Sequence, residues 1–95
     1  TAKVMELDQN YPNPYRHSTK ITYRLKENAK VSLELWNLNG VLETVVFEAD
    51  QSPGEYIQEI NPASLGLVSG NYLYQLVAKT DKGIYRIPKM MTAVN

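Results

Sequence analysis

The sequence predicts an all-β chain, folded as a seven-stranded antiparallel β-sandwich. Three observations predict it. Apolar and polar residues alternate with period two along several runs. Turn-forming clusters separate those runs at short intervals. No window of useful length shows helical periodicity. Seven strands follow from this pattern, at residues 3–9, 19–26, 30–38, 41–49, 55–61, 71–80 and 83–93.

The first strand runs into Gln9-Asn10-Tyr11-Pro12-Asn13-Pro14. Each proline fixes its own φ and lacks a backbone N–H. Each also pushes the residue before it, Tyr11 or Asn13, out of the helical region. The segment is expected to be extended, poor in donors, and placed at an edge or corner of the sheet. In the second strand Ile21, Tyr23 and Leu25 alternate with Thr22, Arg24 and Lys26. In the third, Val31, Leu33 and Leu35 alternate with Ser32, Glu34 and Trp36, so Trp36 either packs on a second face or is exposed. Asn39-Gly40 is expected to form a type I′ turn into the fourth strand, because both central residues of that turn need positive φ. Ser52-Pro53-Gly54 breaks the chain before the fifth strand. Asn61 to Leu67 fits a short helical turn, with Asn61 as cap and Pro62 first in the turn. Tyr72, Tyr74, Leu76 and Ala78 then face inward, the tyrosine hydroxyls able to reach the rim. Asp81-Lys82-Gly83 makes a second tight hairpin. Pro88 marks the last strand as an edge strand, or one bulged there.

The chain has 95 residues, enough for one small domain over 1–95, and its start reads as that of a fragment from a longer protein. It contains no cysteine, which excludes a disulfide scaffold, a thiolate metal site and a cysteine nucleophile together. No apolar run approaches membrane-spanning length. Ten bases balance ten acids, which argues against a nucleic-acid binder. The charges are unevenly spread. Val31 to Ala78 holds six acids and no Lys or Arg, whereas Arg16–Lys30 and Lys79–Lys89 are mostly basic. These are either solvated faces of alternating strands or one basic surface shared by Lys20, Arg24, Arg86 and Lys89, able to meet an anionic glycolipid.

Catalytic constellations are weak. His17, the only histidine, follows Arg16 in a polar turn without partners for a metal or a nucleophile. Glu43, Glu48, Asp50, Glu55 and Glu59 read as solubilising acids rather than a glycosidase pair. Asp8, Asn10 and Asn13 match no EF-hand spacing. No Gly-rich phosphate loop is present. The expectation is a protein without catalysis or cofactor.

Four segments occur in an order that carries a resemblance: QNYPNP (Gln9–Pro14), KVSLELWNLNG (Lys30–Gly40), LGLVSGNYLYQL (Leu65–Leu76) and YRIPKMM (Tyr85–Met91). Together they resemble the type A C-terminal sorting domain of proteins exported by the type IX (Por) secretion system. A related fold, in the flagellar hook-capping protein, shares the Ser-Gly-x-Tyr pattern. The resemblance implies an immunoglobulin-like sandwich at the end of a secreted protein of Bacteroidetes-type bacteria. It implies partners in the outer-membrane export machinery and in a sortase-like protease, cargo domains N-terminal in the same chain, and attachment of cargo to anionic lipopolysaccharide at the cell surface. Carried onto this chain, the signal or docking residues are Tyr11, Pro12, Asn13, Pro14, Gly70, Tyr72, Lys89, Met90 and Met91. Gln58 and Ile60 depart from the family pattern, standing where apolar and large aromatic residues are expected. The alternative reading is an immunoglobulin-like accessory or carbohydrate-binding module of an extracellular enzyme, using Trp36. Position in the parent protein separates the two, since only a sorting signal must be C-terminal.

Overall fold

The computed structural model describes residues 4–14, 17–61 and 65–94. Among the described residues seven strands form: β1 (Met5–Leu7), β2 (Thr19–Leu25), β3 (Ala29–Asn37), β4 (Leu42–Gln51), β5 (Gly54–Ile60), β6 (Gly70–Thr80) and β7 (Gly83–Ala93). Strands β1-β2-β5 make one sheet and β4-β3-β6-β7 the other, with every pairing antiparallel. In immunoglobulin lettering this is A-B-E against C′-C-F-G, the fourth strand lying at the edge of the second sheet. Of the expected helical turn at Asn61–Leu67, residues 62–64 lie outside the described residues.

The alternation in the sequence decides the core, because successive side chains in a strand point to opposite faces. Ile21, Tyr23 and Leu25 of β2 are buried against Val31, Leu33 and Leu35 of β3 and against Tyr74 and Leu76 of β6. Leu33 lies between its cross-strand partners Phe47 and Leu76 and is fully buried. Burying one such side chain stabilises the fold by about 2–3 kcal/mol. Tyr23 stacks between Phe47 and Tyr56, with ring centroids 6.1 and 5.4 Å away. Gln58 is half-buried and Ile60 is buried, so β5 still presents an inner face.

Two edges of the four-stranded sheet behave differently. Strand β4 is exposed along most of its length and carries two register shifts against β3, after Leu33 and after Leu35. Such shifts increase local twist and make the edge a poor template for pairing. Strand β7 runs in unbroken register with β6, so Pro88 marks an edge and not a bulge.

The β3–β4 hairpin differs from the expected type I′ turn. Gly40 has φ +82°, but no other residue type has positive φ among the described residues, so Asn39 does not share it. The Gly40 N–H donates to the Asn37 carbonyl (3.1 Å), and the Asn37 N–H donates to the Val41 carbonyl (2.9 Å). This is a three-residue loop, Leu38-Asn39-Gly40, with the glycine in the left-handed position that closes a bulge. Asn37 selects it: its Oδ1 accepts from the Asn39 N–H (2.9 Å) and the Val41 N–H (3.0 Å). An added Cβ at Gly40 would meet nothing within 4 Å, so the constraint there is conformational and not steric. Gly40→Val should lower stability by about 1–2 kcal/mol, and Gly40→Asn by less, in urea unfolding followed by Trp36 fluorescence.

Candidate functional site

The segment Gln9–Pro14 is not a simple extended lead-in. After β1 the chain leaves the three-stranded sheet and passes beside β6. There the Asn10 N–H donates to the Tyr74 hydroxyl (2.9 Å), and that hydroxyl donates to the Asp8 carbonyl (3.0 Å). The chain then returns to β2, where Tyr11 and Lys20 exchange backbone hydrogen bonds of 3.0 and 2.9 Å. It bends through Pro12, Asn13 and Pro14, and the peptide bonds preceding both prolines are cis. The prolines bring no backbone donors, so side chains supply them. The Pro12 carbonyl accepts from Asn10 Nδ2 (3.2 Å) and from Thr19 Oγ1 (2.9 Å). Asn10 Nδ2 also donates to Thr19 Oγ1 (3.0 Å). Asn10 and Thr19 are buried, and this network satisfies polar groups that would otherwise be costly there.

Two further side chains of the segment reach the last strand. Gln9 Nε2 donates to the Met90 carbonyl (2.6 Å) and to Asn10 Oδ1 (2.7 Å). Asn13 Oδ1 accepts from the Thr92 N–H (3.0 Å). Thr92 in turn donates its hydroxyl to Asn71 Oδ1 (2.7 Å), directly across the β6–β7 pair. Three segments far apart in sequence, Gln9–Pro14, Gly70–Tyr74 and Lys89–Thr92, therefore meet at one end of the sandwich.

The sequence-derived signal residues divide within this end. Tyr11 is 80% exposed and Met90 52% exposed. Pro12, Asn13 and Pro14 are exposed, and Lys89 and Gly70 are half-buried. Met91 is buried, because its position in the alternation faces the core, so it contributes packing and not a docking contact. Tyr72 is buried too, and its hydroxyl donates to the Val68 carbonyl four residues upstream (2.6 Å). Placed at the start of the F-equivalent strand, this is a tyrosine corner. Its role is to fix the turn into β6. Gln9, Asn10, Thr19 and Tyr74 complete the site and were not singled out as signal residues from the sequence. The adjacent amides ahead of two prolines were the available signal, since a donor-poor segment needs side-chain donors.

Burial pushes the Tyr74 phenol up to about 12, opposed by the hydrogen bond from the Asn10 backbone and reinforced by the charge of Asp8. A raised folded value means that its contribution to stability is complete below the ordinary phenol value of 10 and is lost as pH rises through about 12. Tyr74→Phe should cost about 2–3 kcal/mol, because it leaves the Asn10 N–H and the Asp8 carbonyl unpaired. In an alkaline titration of the unmutated chain, phenolate absorbance from Tyr74 should appear together with loss of the β-sheet circular dichroism signal.

The expected basic surface does not assemble. Lys20 and Arg24 lie on the outer face of the three-stranded sheet, whereas Arg86 lies on the outer face of the other sheet. Lys89 sits on the inward-facing side of β7, at the rim near Asp8, whose carboxyl its charge helps to hold low. Arg24 is neutralised by three carboxylates, Glu6 (2.9 Å), Asp8 (2.7 Å) and Glu55 (3.3 Å). Both β1 and β5 flank β2, so their acids bracket this one guanidinium. His17 is exposed in its loop. Trp36 is half-buried on the outer face of the four-stranded sheet, its Nε1–H donating to Glu34 Oε1 (3.0 Å). Gln75 Nε2 donates to the same oxygen (3.0 Å). Beside it, Trp36, Leu38, Leu73 and Pro88 line a shallow groove of about 490 Å³.

Hydrogen bonding from Arg24 holds the carboxyls of Glu6 and Asp8 below their ordinary values of 4.5 and 3.8. Their contribution to stability is therefore present above those values and lost as pH falls through the lower folded ones. The melting temperature should drop on acidification below about pH 4.5, and Arg24→Gln should flatten that part of the profile in thermal melts.

The fold defined by these elements is an immunoglobulin-like β-sandwich whose first segment is fastened to its last strand. No family model and no curated protein matches the chain. Among solved structures it is similar to the dimeric latent PorU of Porphyromonas gingivalis, with a TM-score of 0.75 and 20% sequence identity. That likeness covers 95% of this chain and 9% of PorU, so the chain corresponds to a small part of that protein's length.

Proposed function

We propose that this chain is a non-catalytic C-terminal sorting domain, recognised in its folded form by the outer-membrane machinery of type IX secretion. The observation that carries this reading is the convergence at one end of the sandwich. The Tyr-Pro-Asn-Pro segment, the Ser-Gly-x-Tyr segment and the Lys-Met-Met strand are family-like motifs, and their folded positions place them side by side. The likeness in fold to PorU, which carries the Por name of the same secretion system, supports it. Buried residues of the motifs, Tyr72 and Met91, hold the end in shape. Exposed ones, Tyr11, Asn13 and Met90, present it. In this reading the cargo lies N-terminal in the same protein and crosses the periplasm and outer membrane. A sortase-like protease then removes the domain, and the cargo is attached to anionic lipopolysaccharide or released.

A second reading, an accessory carbohydrate-binding module, draws on one observation, the groove beside Trp36. Its lining is mostly apolar, and Glu34 Oε1 is already engaged by Trp36 and Gln75, which leaves few polar groups to hold a sugar.

Fusing residues 1–95 behind a periplasmically exported fluorescent reporter, in a host with type IX machinery, tests the reading. The reporter should reach the surface or the medium. Truncation at Lys89 would remove Met91 and Ala93 from the core, so exposed point variants are more informative. Tyr11→Ala with Met90→Glu should trap the reporter in the periplasm, while Trp36→Ala should leave export intact. An intact fusion that stays periplasmic, with Trp36-dependent binding to insoluble polysaccharide, would replace the sorting reading with the accessory-module one.

A further inference from the structure

The convergent end occupies only half of β7. We propose that the other half of its outer edge, Gly83–Pro88, accepts an extended acidic strand from a partner protein, and that Gln9 and Asn13 set where this pairing stops. The proposal rests on the export reading only for the identity of the partner.

The direction of the backbone groups comes from the clamp itself. The Met90 carbonyl and the Thr92 N–H face away from β6, since the side chains of Gln9 and Asn13 take them. Backbone groups alternate in direction with period two, and the β6–β7 register has no shift. Ile84, Arg86 and Pro88 therefore turn their backbone groups to the same open side. No described residue caps the Ile84 or Arg86 N–H groups there. Pro88 has no N–H to offer, so a partner's donor–acceptor pairs run along Ile84 and Arg86 and end at the Pro88 carbonyl. One step further, the two side-chain amides already supply the donor and acceptor that a neighbouring strand would bring.

The chemistry of the partner follows from the side chains. From Ile84 to Ala93 the strand carries Arg86 and Lys89 and no acid. Among the described residues no carboxylate pairs with Arg86, which is exposed on the outer face. Ile84, 50% exposed, and the exposed Pro88 flank it on that face. An added strand with apolar residues beside Ile84 and an acid beside Arg86 satisfies both. Main-chain bonds give such a strand its affinity and alternate side chains its selectivity. The opposite edge of the same sheet, β4, is bent by its two register shifts and offers no equally regular template.

The test is amide exchange on the isotopically labelled 95-residue chain, titrated with a short peptide of repeated Val-Thr-Glu-Thr, which sets valine and glutamate in turn along one face, and with its counterpart carrying lysine in place of glutamate. In the free chain the Arg86 amide should exchange faster than the Thr92 amide. The glutamate peptide should protect Ile84 and Arg86 by about ten-fold, and the lysine peptide should bind more weakly. Arg86→Glu, a surface change, should reverse that preference. In the Gln9→Ala, Asn13→Ala double variant, protection should extend to Met90 and Thr92. Equal binding of both peptides, protection along β4 or β5 instead, or no protection of Ile84 and Arg86 would each overturn the proposal. None of these outcomes depends on whether the reporter fusion is exported.

Discussion

One phenolic hydroxyl holds the two sheets to a single arrangement at the end where the first segment meets the last strand. Tyr74 is anchored in the core of the four-stranded sheet, yet its hydroxyl bonds two backbone groups of the segment leaving the three-stranded sheet. Those two groups belong to Asp8 and Asn10, so the chain between them is fixed on both sides of Gln9. Asn10 is thereby placed to fold Pro12 and Thr19 around itself. Gln9 and Asn13 are in turn aimed at β7. Because backbone polar groups inside a protein must find partners, the tyrosine is as much a backbone connector as a core residue.

The same arrangement assigns the two halves of each sequence motif different work. Tyr72 and Met91 face inward and maintain the shape, while their neighbours Asn71 and Met90 face outward. Strand periodicity makes this division unavoidable: in any strand motif longer than one residue, exposed and packed positions alternate. A short motif in such a domain is therefore a composite of two selective demands.

Much of the fold was legible in the sequence. Period-two alternation identified the inner faces of β2, β3 and β6, and Pro88 identified an edge. What was not legible depended on pairing between distant strands. Nothing local says that Arg24 will lie between Glu6 and Glu55, because that requires knowing that β1 and β5 both flank β2. The division of basic residues between two outer faces follows from the same sheet assignment. At Asn39-Gly40 the sequence pattern identified a hairpin correctly, but Asn37, one residue before the loop, decided which turn was made. The path of the chain between Asp8 and Asn10 likewise depends on Tyr74, a residue more than sixty positions away.

The clamp also has a consequence in time. Its two bonds join residues separated by 81 and 79 positions, nearly the full span of the chain. During synthesis Gln9 and Asn13 emerge from the ribosome long before the backbone they bind exists. Until β7 is laid against β6, the proline segment has nothing to close upon, and the loop that must be closed is almost the largest this chain contains. The bond between the first segment and the last strand is thus made only once the sandwich has closed, and its presence reports that closure.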